Sequence, residues 1–188
     1  MKNRYALLLI LSPLVLIFLS IIMGCGIARL HIPLNETDVS VVISRNFDTN
    51  KHRKVAVMPI YGDRKDGVLE AQASDVFAAK LMEMGFTVVE RTQIQRIFNE
   101  LQLSMSGALS KDELNKIGKL LDIDMIVMGT ASGWNPTLEG YNAASIRFVD
   151  TVTGEQLISV WCNKIAGRKQ YTPVMADSLK RKLFEQRR

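Results

Sequence analysis

The residues able to make or break bonds are few and scattered. The 188-residue chain has two histidines, His31 and His52, and neither belongs to an HxH, HExxH or other metal-ligand spacing. No serine occupies a GxSxG elbow, so a Ser-His-Asp arrangement is not expected. Asp63, Asp66, Glu70 and Asp75 gather around one loop and the helix after it. Carboxylates there could act as general acids, but the same spacing is ordinary for the solvent side of a helix. MGTASG, Met128 to Gly133, follows a strand and carries two glycines. It lacks the GxxxxGK[ST] spacing, and a loop and strand follow it where a phosphate-cradling fold needs a helix. Neither an enzyme active site nor a metal or non-covalent cofactor is expected. Of the two cysteines, Cys162 lies in an alternating apolar stretch and reads as a buried small hydrophobe. Cys25 is the residue with chemistry in its surroundings.

Cys25 closes the stretch IIMGCG. Lys2 and Arg4 form a short basic start, and residues 6–24 then run without a charge. That length is at the lower end for crossing a bilayer and long for the apolar part of a signal peptide. Gly24 is small, which suits a cut before Cys25. Basic start, apolar run, small residue and cysteine together resemble a bacterial lipoprotein signal. That resemblance implies diacylglyceryl transfer to the Cys25 thiol, cleavage after Gly24 and a lipid anchor on the new N-terminus. Ile22 stands for the usual leucine, and Met23 is larger than the usual middle residue. An uncleaved membrane helix or a plain secretion signal is the alternative. Two or more acyl chains hold a protein stably on a membrane. Gly26, where an aspartate would favour inner-membrane retention, points to the outer membrane.

The formal charge of +5 falls to +3 once cleavage takes away Lys2 and Arg4. No basic stripe interleaves with aromatics, so nucleic-acid binding is not expected. Residues 25–53 read as a tether, in which residues 38–44, DVSVVIS, have strand composition and could pair with a sheet edge. The basic run Lys51, Arg53 and Lys54 reads as a solvated face, or as contact with anionic headgroups.

The rest is expected to be one domain over residues 54–188. KVAVMPI, residues 54–60, predicts a short strand stopped by its proline. Residues 61–67 are a loop. Leu69, Ala73, Val76, Phe77 and Leu81 share one side of a helix over residues 68–84, closed by Gly85. FTVV, residues 86–89, is the next strand. Ile94, Ile97, Phe98 and Leu101 mark a second helix. Ser110 and Glu113 form a capping box for a third, with Leu114, Ile117, Leu120 and Leu121 inward. Gly118 either permits a close crossing or is incidental. Met125 to Met128 is a buried strand, and residues 143–152 and 156–165 form a hairpin over a Thr153-Gly154 turn. Thr172 and Pro173 suit the cap and first position of a last helix. The order predicts an α/β domain with a mixed sheet flanked by helices.

Four of these segments resemble, in order, the curli-assembly CsgG-like family, whose fold is related to the N-terminal domain of the translocation protein TolB. They are VAVMPI at residues 55–60, VVERTQIQRIFNELQL at 88–103, LLDIDMIVMGTASG at 120–133 and FVDTVTGEQLIS at 148–159. The resemblance covers roughly residues 54–183. It implies a periplasmic α/β lipoprotein domain that works through contact with other proteins, in assembly or export. Some members are oligomeric channels that insert extra amphipathic strands. Here residues 61–67 and 134–140 hold seven residues each, whereas one membrane-crossing strand needs about nine to eleven.

The expected function is therefore that of an outer-membrane-anchored periplasmic lipoprotein, a protein-binding accessory factor in envelope assembly or export. The alternative is a subunit of an oligomeric secretion channel. Partner contacts are expected at Tyr61, Trp134, Tyr141, Lys180 and Arg181, with aromatics favoured because they bring large contact area. Trp134 could equally cap the core. The partners would be envelope proteins and the membrane, and self-association stays open.

Overall fold

In the computed structural model, the described residues are 34–63, 68–104, 109–133, 140–164 and 166–186. Residues 31–188 form one compact unit. Among the described residues the strands are β1 (Val39–Ile43), β2 (Lys54–Gly62), β3 (Thr87–Val88), β4 (Met125–Ser132), β5 (Gly140–Tyr141), β6 (Ala143–Asp150), β7 (Gln156–Cys162) and β8 (Ala166–Gly167). The helices are α1 (Val68–Glu83), α2 (Arg91–Glu100), α3 (Lys111–Leu121) and α4 (Arg168–Gln186). Six strands make one sheet in the order β1-β7-β6-β4-β2-β3, and β5 pairs with β8 in a small ribbon. β2 runs parallel to β3 and β4, whereas β4, β6, β7 and β1 pair antiparallel. The mixed α/β fold is as the sequence implied.

Alternation along the strands sends side chains to two faces. One face carries Val55, Val57, Met125, Val127, Phe148 and Val160 against Phe77 and Leu81 of α1 and Met175 and Leu179 of α4. The other carries Ala56, Met58, Ile126 and Val149 against Ile94 and Phe98 of α2 and Leu114 and Ile117 of α3. The capping box is present: Ser110 Oγ accepts from the Glu113 N–H, and the Glu113 carboxylate accepts from the Ser110 N–H at 2.7 Å. The expected edge strand is β1, registered from Val39 opposite Cys162 to Ile43 opposite Ile158. The sheet thus begins ahead of Lys54. Cys162 is buried, and burial pushes its thiol pKa up.

Several expectations need correction. β2 does not stop at Pro59 but continues to Gly62. β3 pairs with it only at Lys54 and Val55, so the N–H that proline lacks is not needed on that side. A register shift against β4 accommodates the ring, and the next N–H, of Ile60, is taken by Ser74 Oγ of α1 at 2.8 Å. α4 starts at Arg168 and contains Pro173. One intrahelical bond is lost there, while Tyr171, Thr172, Met175 and Ala176 around it are buried. Leu120 is 56 % exposed, because α3 turns Ile117 and Leu121 to the sheet and Leu120 away. Gly118 is a close crossing: a Cβ there would lie 2.6 Å from Thr151 Oγ1.

Candidate functional site

The side chains able to titrate are largely committed to holding the fold. His52, between the exposed Lys51 and Arg53, turns inward. Its Nδ1 accepts from the Asp48 N–H at 3.0 Å, so in the neutral ring the proton sits on Nε2, 3.3 Å from Asp150 Oδ2. Phe47 stacks on the ring at 5.6 Å. A Ser-His-Asp relay needs one imidazole nitrogen on the carboxylate and the other on a hydroxyl. Here the second nitrogen is occupied by backbone. Asp150 is itself a turn cap, its Oδ1 accepting from the N–H groups of Val152 and Thr153 at 2.8 and 2.6 Å. Burial pushes its carboxyl up, but the Thr153 and Val152 amides outweigh that and hold its pKa below the ordinary value.

Of the acidic residues near the first loop, Asp63 and Asp75 serve different partners, and the side chain of Glu70 lies outside the described part of the structure. Asp63 accepts from the Gly133 N–H at 2.8 Å, and Asp75 pairs with Arg91 at 3.4 Å. Asp66 lies outside the described residues. Asp124 accepts from the N–H groups of Arg53 and Lys54, fixing the start of β2. Among the described residues no group of three or more His, Cys, Asp or Glu could hold a metal ion, and no helix is long and apolar enough to cross a membrane.

The residues singled out for partner contact fall in different places. Tyr61 is half-buried near the end of β2. Tyr141, expected to be exposed, is 6 % exposed and part of the core; its carbonyl accepts from the Tyr171 hydroxyl, which also donates to the Lys164 carbonyl at 2.6 Å. Tyr141 is part of the ribbon, paired with Ala166 of β8. Arg181 is half-exposed but paired with Glu36 at 2.6 Å, and Lys180 is partly buried. Trp134 and Cys25 lie outside the described residues.

An apolar cavity of about 270 Å³ opens between α1, α4 and the ends of β2, β4 and β6. Ile60, Val76, Ala131, Tyr141, Ile146 and Met175 line it. It sits at the carboxyl ends of the parallel strands β2 and β4, where open α/β sheets commonly bind ligands. Its size is at the small end for ligand pockets. Periodicity in one element could not reveal a cavity built from three strands and two helices.

Comparison with known proteins places this domain. Among solved structures, the PelC dodecamer from Paraburkholderia phytofirmans is similar at 12 % identity, over 76 % of this chain and 94 % of that one, with a TM-score of 0.47. Lipoprotein GNA1162 from Neisseria meningitidis is similar at 18 % identity, over 71 % and 94 %, with a TM-score of 0.48. The LpoB C-terminal domain from Salmonella enterica is similar at 18 % identity, over 58 % and 79 %, with a TM-score of 0.46. No curated protein sequence matches the chain. The family described as curli production assembly/transport component CsgG matches residues 29–142, more than half of the 188, and the chain belongs to that family.

Proposed function

We propose that this protein is a lipid-anchored periplasmic lipoprotein of the outer membrane that binds other envelope proteins as an accessory factor in their assembly or export. The observation that carries this reading is the family match across residues 29–142. Two features support it. IMGC at residues 22–25 ends a charge-free run behind a basic start, as a lipoprotein signal would. The titratable groups near the first loop and around His52 are spent on turns and strand ends, as suits a domain that works through its surface.

The channel-subunit reading is weaker. The segments between β2 and α1 and between β4 and β5 are too short to add a membrane-crossing hairpin. Chemical cross-linking in intact cells, followed by purification of the full chain, tests the proposal. Reproducible adducts with envelope proteins are expected. Turnover of a small molecule by the purified protein, with no protein adduct, would replace it with an enzymatic reading.

A further inference from the structure

We propose that the half of the sheet left open by α2 and α3 is the partner-binding face, and that it takes a protein segment presenting a carboxylate beside an apolar side chain. This deepens the accessory-factor reading and rests on it.

The register builds this face in two rows. Ser40 of β1, Trp161 of β7, Ser145 of β6 and Thr130 of β4 lie side by side in one; Val42, Ser159, Arg147 and Met128 form the next. The two rows cross four strands, a width of roughly 15 Å. Met128 is at their boundary, packed at the margin of the core beneath α2 and α3. Beyond it, among the described residues, no helix covers the face. Val42 is 55 % exposed, and Ser40, Thr130, Ser145 and Arg147 are exposed too. Trp161 is partly exposed and packs in neither core.

The composition is what a contact centre needs. Trp161 has serines as its cross-strand neighbours on both sides, so no large side chain flanks it within its row. Val42 and Arg147 lie diagonally from it, both opposite Ser159, within reach across strands. Trp and Arg are the residue types most enriched where binding energy concentrates. Arg147 is the one charged residue of the eight. Among the described residues its guanidinium has no ion pair or hydrogen bond. A planar fork of donors on an uncharged face matches a carboxylate in two-point geometry.

Charge also selects the occupant. A second copy docking face to face by a two-fold axis would bring no carboxylate to Arg147, since neither row carries one. Nucleic acid would need several phosphate contacts, and the face offers one cation. A protein segment with an acidic residue next to an aliphatic or aromatic one satisfies Arg147 and covers Trp161 and Val42 together.

The test uses the full chain in detergent and a fluorescently labelled synthetic peptide of alternating glutamate and leucine. Counterparts carry glutamine or lysine in place of glutamate. Fluorescence anisotropy is expected to show the acidic peptide binding about tenfold tighter than the lysine one, the scale of one hydrogen bond to a charged group. Arg147→Glu should abolish or reverse that preference, and Trp161→Ala should weaken the acidic and glutamine peptides alike. Arg96→Glu, on the exposed side of α2, should change nothing. Equal affinities for the three peptides, no binding, or an unchanged preference in folded Arg147→Glu would overturn the proposal. The cross-linking experiment separates the two readings. If Arg147→Glu captures the same envelope proteins as the wild type, this face is wrong and the accessory function stands. If the wild type captures none, the function itself falls.

Discussion

Gly118 lies where α3 crosses the turn after β6, and a methyl group there would stand 2.6 Å from both Cβ and Oγ1 of Thr151. Thr151 cannot easily give way, because its hydroxyl donates to the carbonyls of Ile123 and Asp124 at 3.0 and 3.1 Å. Alanine would gain about 1 kcal/mol of helix propensity and lose about 1–3 kcal/mol to overpacking. Gly118→Ala should therefore be destabilised in urea unfolding, despite sitting in a helix. Asp150 sets a pH dependence. Its carboxyl has a folded pKa below the ordinary 3.8, through the Thr153 and Val152 amides acting against burial. A carboxylate whose pKa is lowered on folding stabilises the fold fully above its unfolded value and loses that contribution as pH falls through the folded one. Stability should decline below about pH 4–5, and the decline should be shallower in Asp150→Asn. An equally steep decline in that variant would assign it to other carboxylates, such as Asp38, which is lowered by its bond from Lys164. The Asp150 turn was half legible in the sequence: TVTG after Asp150 reads as a turn. Its pairing with His52 joins residues far apart in the chain, which local pattern cannot show.

At the scale of elements, the chain crosses the width of the sheet between its first two strands. β1 lies at one edge, and β2 lies beyond β7, β6 and β4. The connecting loop is fastened on the way: the Ser44 N–H donates to the Leu157 carbonyl, the Asn46 side chain donates to Glu155, and His52 Nε2 lies 3.3 Å from the Asp150 carboxylate. β1 covers Ile158, Val160 and Cys162 along the edge of β7. Val39, Val41 and Ile43 pack partly into the same core, worth several kcal/mol at about 1.5–3 kcal/mol per fully buried aliphatic side chain. Out of a total of about 5–15 kcal/mol, that is a large share. A chain lacking residues 1–33 should stay folded and keep Cys162 unreactive toward a maleimide. One lacking residues 1–53 should unfold readily or aggregate and label at Cys162. Equal protection in both would show that β1 contributes little. The amphipathic helices were legible because Ile94, Ile97 and Phe98, or Leu114 and Ile117, recur at helical spacing and do face the sheet. Pro59 misled because its effect depends on whether a neighbour strand needs its N–H. The open sheet face was harder still: Arg147 was visible opposite Ile146 and Phe148, but Trp161 and Val42 join it only through the pairing of β1, β7 and β6.

For the whole molecule, the proposed membrane anchor turns on the fate of the N-terminal run. The N-terminal run can be a helix that stays, a plain secretion signal or a lipoprotein signal, and the last is marked by chemistry at one residue. A retained helix leaves Cys25 an ordinary thiol. A processed lipoprotein signal turns the Cys25 sulfur into a thioether carrying diacylglycerol and frees its amine for a further acyl chain. One chain would give only marginal, reversible binding, whereas two or more hold firmly, so the processed form needs no apolar helix to remain at the surface. The domain does not depend on the outcome, since residues 31–188 are compact on their own, and a chain lacking residues 1–25 should fold as the intact one does. Nor is the intact protein expected to conduct: purified into a planar bilayer, it should give no discrete current steps, and such steps would revive the channel-subunit reading. Intact mass of protein extracted from membranes decides the anchor. Loss of residues 1–24 with an added diacylglyceryl and acyl mass is expected, and Cys25→Ser should accumulate with its N-terminus uncut. A wild-type mass that begins at Met1 without lipid would mean that residues 6–24 remain as a membrane helix. The domain would then be tethered by that span, with the same surface left to meet its partners.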